Sequence, residues 1–312
     1  MDGAFSFICG ILIPNKNVWE KSCSNLILGE YSMNRHAYLI MAHHQFDFLK
    51  ELLGALDHEY NDIYLHIDQK VQDFDPANLS AVVHRSNLYF TERLNVHWGG
   101  YSQTACELTL LKAAISGHYA YYHLLSGSDF PLKSQEEIHL FFEEHAGWEF
   151  LHFDSTEFEP MLRERISLYH FFRESSCPLA EPADRVLTLL QRFFHVDRLK
   201  NENISLQKGA NWFSITHAFA EYVLSKENWI QKHFRRSVCA DELLLQTLAV
   251  NSPFMERIFD PFGSELSLGN LRYIDWERGT NNSPYIFQKE DAAFLKSLPH
   301  LFARKFEQNI FS

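Results

Sequence analysis

The chain has 312 residues with 46% hydrophobic content, enough to bury a large core, and its size suits one big α/β domain or two closely joined halves rather than a disordered segment. A formal net charge of -12 argues against broad, sequence-independent nucleic-acid binding, because phosphate contacts need Lys and Arg in excess. A small molecule or a glycan is the expected partner, and the 15% of aromatic residues can stack on rings or fill a dense core.

The N-terminal run "AFSFICGILIP" is apolar but falls short of the ~20 residues a membrane helix needs. No Lys or Arg precedes it, so a signal peptide is also a poor reading. Regular patterning begins near "NRHAYLIMAHH", which makes residues 1–32 an appendage, with Met33 as an alternative start. From residue 36, short β-rich runs alternate with helical patterns. "HAYLIMA" leads to "FDFLKELLGAL", in which Phe48, Leu49, Leu52, Leu53 and Leu56 fall on one helical face. Then come "DIYLHID", "NLYFT", a helix over 102–117, the strand "AYYHLLS" and a helix opening at Ser134. Ser134 and Glu137 make an S-x-x-E capping box, so "DFPLK" reads as the loop before that helix and Asp129 sits at its edge. The rhythm implies a mostly parallel, Rossmann-like sheet whose ligand crevice lies at the carboxyl ends of its strands.

Residues 36–154 form the expected nucleotide-binding half. The segment 155–205 is charged and irregular, with "RERISLYHFFRESS" and "DRVLTLLQRFFHVDRLK" reading as amphipathic helices, and resembles an insertion suited to acceptor specificity. Residues 206–312 form the acceptor and catalytic half, with strands expected at "ANWFSIT" and "LRYIDW", a helix around "CADELLLQTLAV" and the closing "LPHLFARKFE". Cys9, Cys23, Cys106, Cys177 and Cys239 are odd in number, scattered and without a C-x-x-C pair, so they look like reduced thiols. That points to a cytoplasmic protein without a transmembrane segment, with peripheral membrane contact left open.

Enzymes that must neutralise a diphosphate often hold a divalent ion on two carboxylates one residue apart. At the relevant strand end "SGSDF" offers a single carboxylate, Asp129, which either accepts a sugar hydroxyl or fixes its own loop. Asp73 and Asp75 in "VQDFDPANL" do form a D-x-D, but in a polar stretch before Pro76 that reads as a solvated turn. No obligatory metal or other cofactor is expected. Without one, leaving-group charge needs adjacent cations, and Arg304 and Lys305, framed by Leu301, Phe302, Ala303 and Phe306, are the candidates. Gly99 and Gly100 in "VHWGGYS" allow close backbone approach to a ligand or a tight turn.

The succession "YLHIDQK", "VHWGGYS", "LLSGSDFPLKS", "GANWFSI", "ADELLLQTL" and "LFARKFE" resembles the core-2/I-branching glycosyltransferase family (glycosyltransferase family 14), from about His36 to Glu307. "LRYIDWER", "NSPF" and "FARKFE" look closer to its peptide xylosyltransferase branch than to its N-acetylglucosaminyltransferase branch. The resemblance implies a GT-A type nucleotide-sugar fold, an inverting and metal-independent reaction, and transfer of xylose or N-acetylglucosamine from a UDP donor to a hydroxyl of a glycan or peptide, forming a β-linkage. It places Glu242 as general base, with Asp241 as its supporting partner, although two acids at a helix start commonly just complement the dipole. It sets Arg304 and Lys305 at the pyrophosphate, Asp68 against the uridine, His43 or His44 along the nucleotide pocket, and Trp212 on the donor sugar. Asn211 stands where the family tends to have Asp, which leaves the donor sugar open; Asn282 stands nearest to a further Arg of the N-acetylglucosaminyl branch, which favours the Arg304 and Lys305 solution. The alternatives are a non-catalytic nucleotide-sugar or glycan-binding protein and a glycoside hydrolase, which would need two cooperating carboxylates and no nucleotide.

Overall fold

Strand β1 (His36–Ala42) sends alternate side chains into two separate buried layers, and that alternation organises the molecule. Ala37 and Leu39 enter one core with Leu124 and Ile215. Tyr38, Ile40 and Ala42 enter the other with Leu65 and Leu125. The computed structural model describes residues 34–155, 159–261, 268–281 and 283–311; the expected appendage at 1–32, Met33 and Asn282 lie outside them. Asn34–Ser312 cluster as one compact unit.

The chain runs β1, α1 (Phe46–Leu56), β2 (Asn61–Ile67), α2 (Pro76–Ser80), β3 (Asn87–Phe90), α3 (Tyr101–Ala114), β4 (Tyr121–Ser126), β5 (Asp129–Pro131) and α4 (Gln135–Glu144). It continues through α5 (Glu159–Ser167), α6 (Ala180–Phe193), β6 (Ser214–Thr216), α7 (His217–Ser225), α8 (Glu227–Phe234), a 3-10 turn Ala240–Glu242, α9 (Leu244–Val250), β7 (Arg272–Ile274), α10 (Ala292–Ser297) and β8 (Phe302–Arg304). The main sheet has the order β3-β2-β1-β4-β6, parallel except for β6. This is the expected α/β class with a mostly parallel central sheet. Strand order reverses between β1 and β4, so a crevice opens at their carboxyl ends. A second sheet, β5-β8-β7, stands beside it.

Local signals carried over well. The buried residues of α1 are Phe48, Leu49, Leu52, Leu53 and Leu56, the five on the apolar face, each contributing about 2 kcal/mol of burial. Ser134 caps α4 by accepting from the Glu137 N–H, and the Glu137 carboxylate takes the Ser134 N–H at 2.8 Å.

Four elements differ from expectation, each because tertiary partners take the backbone. "DFPLK" is not simply a loop: Asp129–Pro131 pairs antiparallel with Phe302–Arg304, and Pro131 is tolerated because β5 is an edge strand. The strand read over "ANWFSIT" shrinks to Ser214–Thr216, since Gln246 takes the Ala210 carbonyl and Asn270 that of Trp212. Helix α5 stops at Ser167 because the Gln191 side chain claims both the N–H and C=O of Tyr169. In α6 the amphipathic sense is inverted: Asp184 faces inward onto His170 and the Phe171 N–H, while Leu179, Val186, Leu189 and Phe193 are exposed. Among the described residues no helix is long and apolar enough to cross a membrane.

Candidate active site

At the reversal point the ends of β1 and β4 come so close that only a small residue fits. The Gly127 N–H donates to the Met41 carbonyl at 2.9 Å, and a Cβ there would stand 3.1 Å from that of Ala42. Two residues on, the Asp129 carboxylate accepts from the Ser126 N–H at 2.8 Å and hydroxyl at 3.0 Å, and from Arg304 Nη1 at 3.1 Å. Burial pushes its carboxyl upward in pKa, with the Arg304 charge opposing. At 1% exposure Asp129 fixes its own loop, the second of the two roles expected of it, and holds Arg304.

Arg304 is gripped on a second side. Its Cζ lies 4.2 Å from the centre of the Trp212 ring, a cation-π contact worth about 0.5–2 kcal/mol. Lys305 follows through a cis peptide bond, with its carbonyl taken by the Phe287 N–H at 3.0 Å. The Lys305 and Arg304 charges both reach His43 and His44, whose rings stack 4.2 Å apart after β1. Burial is the main cause holding both imidazoles below their usual pKa; Asp68 opposes it at His43, and Lys70, Lys305 and Arg304 reinforce it.

Asp68 ends β2 at the same rim, 5% exposed, accepting from the Lys70 N–H at 2.8 Å with the Lys70 ammonium 3.5 Å from its other oxygen. Sequence reasoning missed Lys70, although it closes the quoted run "YLHIDQK". It also missed Arg272, which is buried, donates to Ser214 Oγ at 2.8 Å and to the carbonyls of Leu124 and Phe213, and has its pKa lowered by burial to about 9. The only hint was a cation inside the apolar run "LRYI".

The acid pair sits elsewhere on the rim. The turn Ala240–Glu242 starts from Cys239 in the left-handed region at φ 49, and Cys239 N–H bonds the Gly99 carbonyl at 3.0 Å. Gly99, at φ 70, therefore makes a tight turn that supports this acid turn. Glu242 Oε2 meets Arg165 Nη1 at 2.9 Å and Lys208 Nζ at 3.9 Å, and Lys208 also pairs with Asp154. The segment 155–205 thus supplies a direct partner to Glu242. A cavity of about 480 Å³ opens there, lined by Asp154, Arg165, His170, Arg173, Arg192 and Lys208 among others.

One loop joins the two groups of residues. The Gly209 N–H donates to the Glu242 carbonyl at 2.9 Å, and a Cβ on Gly209 would fall 1.7 Å from the His152 carbonyl oxygen, so only glycine fits. From the Cα of Gly209 to the Cα of Trp212 the backbone spans at most about 11 Å. Half-buried Asn211 lies on this loop. Asp73 and Asp75 line a separate cavity of about 500 Å³ with Phe46, Lys50 and Phe74; Asp75 spends its carboxylate capping α2 through the Ala77 N–H at 2.9 Å. No group of three or more His, Cys, Asp or Glu suited to a metal occurs among the described residues.

The sequence family described as "Core-2/I-Branching enzyme" matches residues 36–298. The chain belongs to the core-2/I-branching enzyme family. Curated relatives of this core-2/I-branching enzyme include xylosyltransferase 2 of Rattus norvegicus, 24% identical over 300 residues, and a xylosyltransferase of Ciona intestinalis, 23% identical over 301. Each alignment covers 88% of this chain and 32% of the relative, so the chain spans about a third of the length of the curated relatives it matches. Among solved structures it is similar to the apo form of mouse xyloside xylosyltransferase 1, at 10% identity and a TM-score of 0.33, over 86% of this chain and 96% of that one. The match takes in β1, β2, β4, Trp212 and the acid turn, and Arg304 and Lys305 follow it in sequence.

Proposed function

We propose that this chain is an inverting glycosyltransferase that moves xylose or N-acetylglucosamine from a UDP donor to a hydroxyl of a glycan or peptide, without an obligatory metal ion. The observation that carries the reading is the Gly209 to Trp212 loop, which bonds Glu242 at one end and stacks Arg304 at the other. This short loop ties the backbone of the acid turn to the ring that stacks on the cation, and the reading takes the two to serve one substrate.

In this reading Glu242 removes the proton of the acceptor hydroxyl as its oxygen attacks the anomeric carbon from the face opposite UDP. The bond from that carbon to the β-phosphate oxygen breaks, and the electron pair stays on the diphosphate, where Arg304 and Lys305 meet the charge. Arg165 and Lys208 hold Oε2, and Oε1 is assigned to the acceptor. His43, Asp68 and Lys70 surround the nucleotide, and the cavity beside Arg165 receives the acceptor. A cytoplasmic setting is part of this proposal.

The test is UDP release with UDP-xylose and UDP-N-acetylglucosamine, each with and without hydroxyl acceptors. Acceptor-dependent release with one donor supports the reading. Tight UDP binding without turnover on any donor would instead favour a binding protein of the same fold.

A further inference from the structure

Glu107 lies in the middle of α3, on its core-facing side, at 2% exposure. A carboxylate in that position is expensive to ionise unless a cation meets it, and its Oε1 makes no hydrogen bond among the described residues. Asp241, on the turn that packs against α3, is 6% exposed. Its Oδ2 accepts from Gln103 Nε2 at 3.1 Å, one helical turn before Glu107, and its Oδ1 is also without a hydrogen bond.

Two buried acids that act on each other settle by keeping protons, and their titration belongs to the pair. Burial raises the Glu107 pKa well above the usual range, and the Asp241 charge adds to it. Burial likewise pushes Asp241 up to about 7; the Glu242 charge reinforces this, while the backbone N–H groups of Asp241 and Glu242, and then the Arg165 charge, oppose it. The other titratable or charged groups facing the pair are Cys106 on α3, Cys239 and Glu242 on the turn, and Arg165 from the middle segment, with Arg173 reaching Cys239 behind them.

We propose that Glu107 and Asp241 form a proton-holding pair that positions the Cys239 to Glu242 turn and fixes the charge behind Glu242, making Glu107 a positioning residue for the reaction. The second half of this statement rests on the reading of Glu242 as the base. With the pair protonated, Glu242 alone answers Arg165. When Asp241 ionises, a second carboxylate competes for Arg165 and the turn loses its fixed charge.

The test uses Glu107→Gln and Asp241→Asn in the full chain, read by thermal stability and turnover against pH. A raised acid stabilises the fold below its unfolded pKa and loses that contribution as pH rises through its folded pKa. The Tm of Asp241→Asn relative to wild type should therefore climb from about pH 4 and level off near pH 7, and that of Glu107→Gln should climb in the same sense as pH rises. Turnover of Glu107→Gln should fall ~10-fold at unchanged donor KM, as for other residues that support a functional group. Flat Tm differences for the variants that fold overturn the pair; pH-dependent differences with unchanged turnover overturn the positioning role. Because the stability readout is independent of chemistry, an active Glu242→Gln would remove the base reading and leave the test of the pair standing.

Discussion

The guanidinium carbon of Arg304 stands 4.2 Å over the Trp212 ring while its Nη1 bonds the buried Asp129. The cation is thus held from a face and an edge before any substrate arrives. Trp212→Ala should weaken UDP binding by ~1–2 kcal/mol, roughly 5- to 30-fold, and Trp212→Phe by less because a ring face remains. Arg304→Ala and Lys305→Ala should each cost ~2–4 kcal/mol of transition-state stabilisation, and the double change less than the sum, since both serve one anion. UDP titration with steady-state kinetics checks all five; wild-type values from the Arg304 and Lys305 variants would return them to structural residues.

Glu242→Gln keeps the shape and the contact with Arg165 but removes basicity. Turnover should drop ~100-fold or more with UDP affinity nearly unchanged. Arg165→Gln should lower turnover by a smaller factor, because the carboxylate survives and only its placement loosens. Retention of turnover within a few fold in Glu242→Gln would reduce Glu242 to a helix-start residue.

Turnover should survive saturating EDTA, since the proposed route gives the diphosphate charge to Arg304 and Lys305. Modest stimulation by divalent ions is compatible, because UDP product chelates them. Complete and reversible loss on chelation would redirect attention to Asp73 and Asp75.

At the opposite end of the sheet, His36 stacks on His139 at 4.0 Å and bonds His123 at 3.1 Å. Burial lowers all three pKa values, that of His139 to about 4. A depressed histidine contributes stability above its unfolded pKa of about 6.5, lost as pH falls toward and through the folded value. For His139 this amounts to about 3 kcal/mol. Wild-type Tm should fall between pH 6.5 and 4 more steeply than that of His139→Gln, which cannot charge; parallel curves would show that this histidine does not drive the acid loss.

Much of the scaffold was legible because it depends on neighbours in sequence. The five apolar residues of α1 follow from its periodicity, and the Ser134 and Glu137 cap from a spacing of three. Strands β1, β2 and β4 read as continuous apolar runs because both faces of the sheet are covered. The order of motifs pointed to the family. Contacts between distant residues were settled only by the tertiary fold. The contact of Asp129 with Arg304 exists only because β5 pairs with β8. Arg165 was one charge in an irregular segment until α5 set it on Glu242, and Arg272 one cation in an apolar run until three carbonyls and a serine enclosed it. Sequence spacing encodes which face of an element a side chain occupies, but burial and charge partnership depend on what that face meets, and that was decided when the sheet closed.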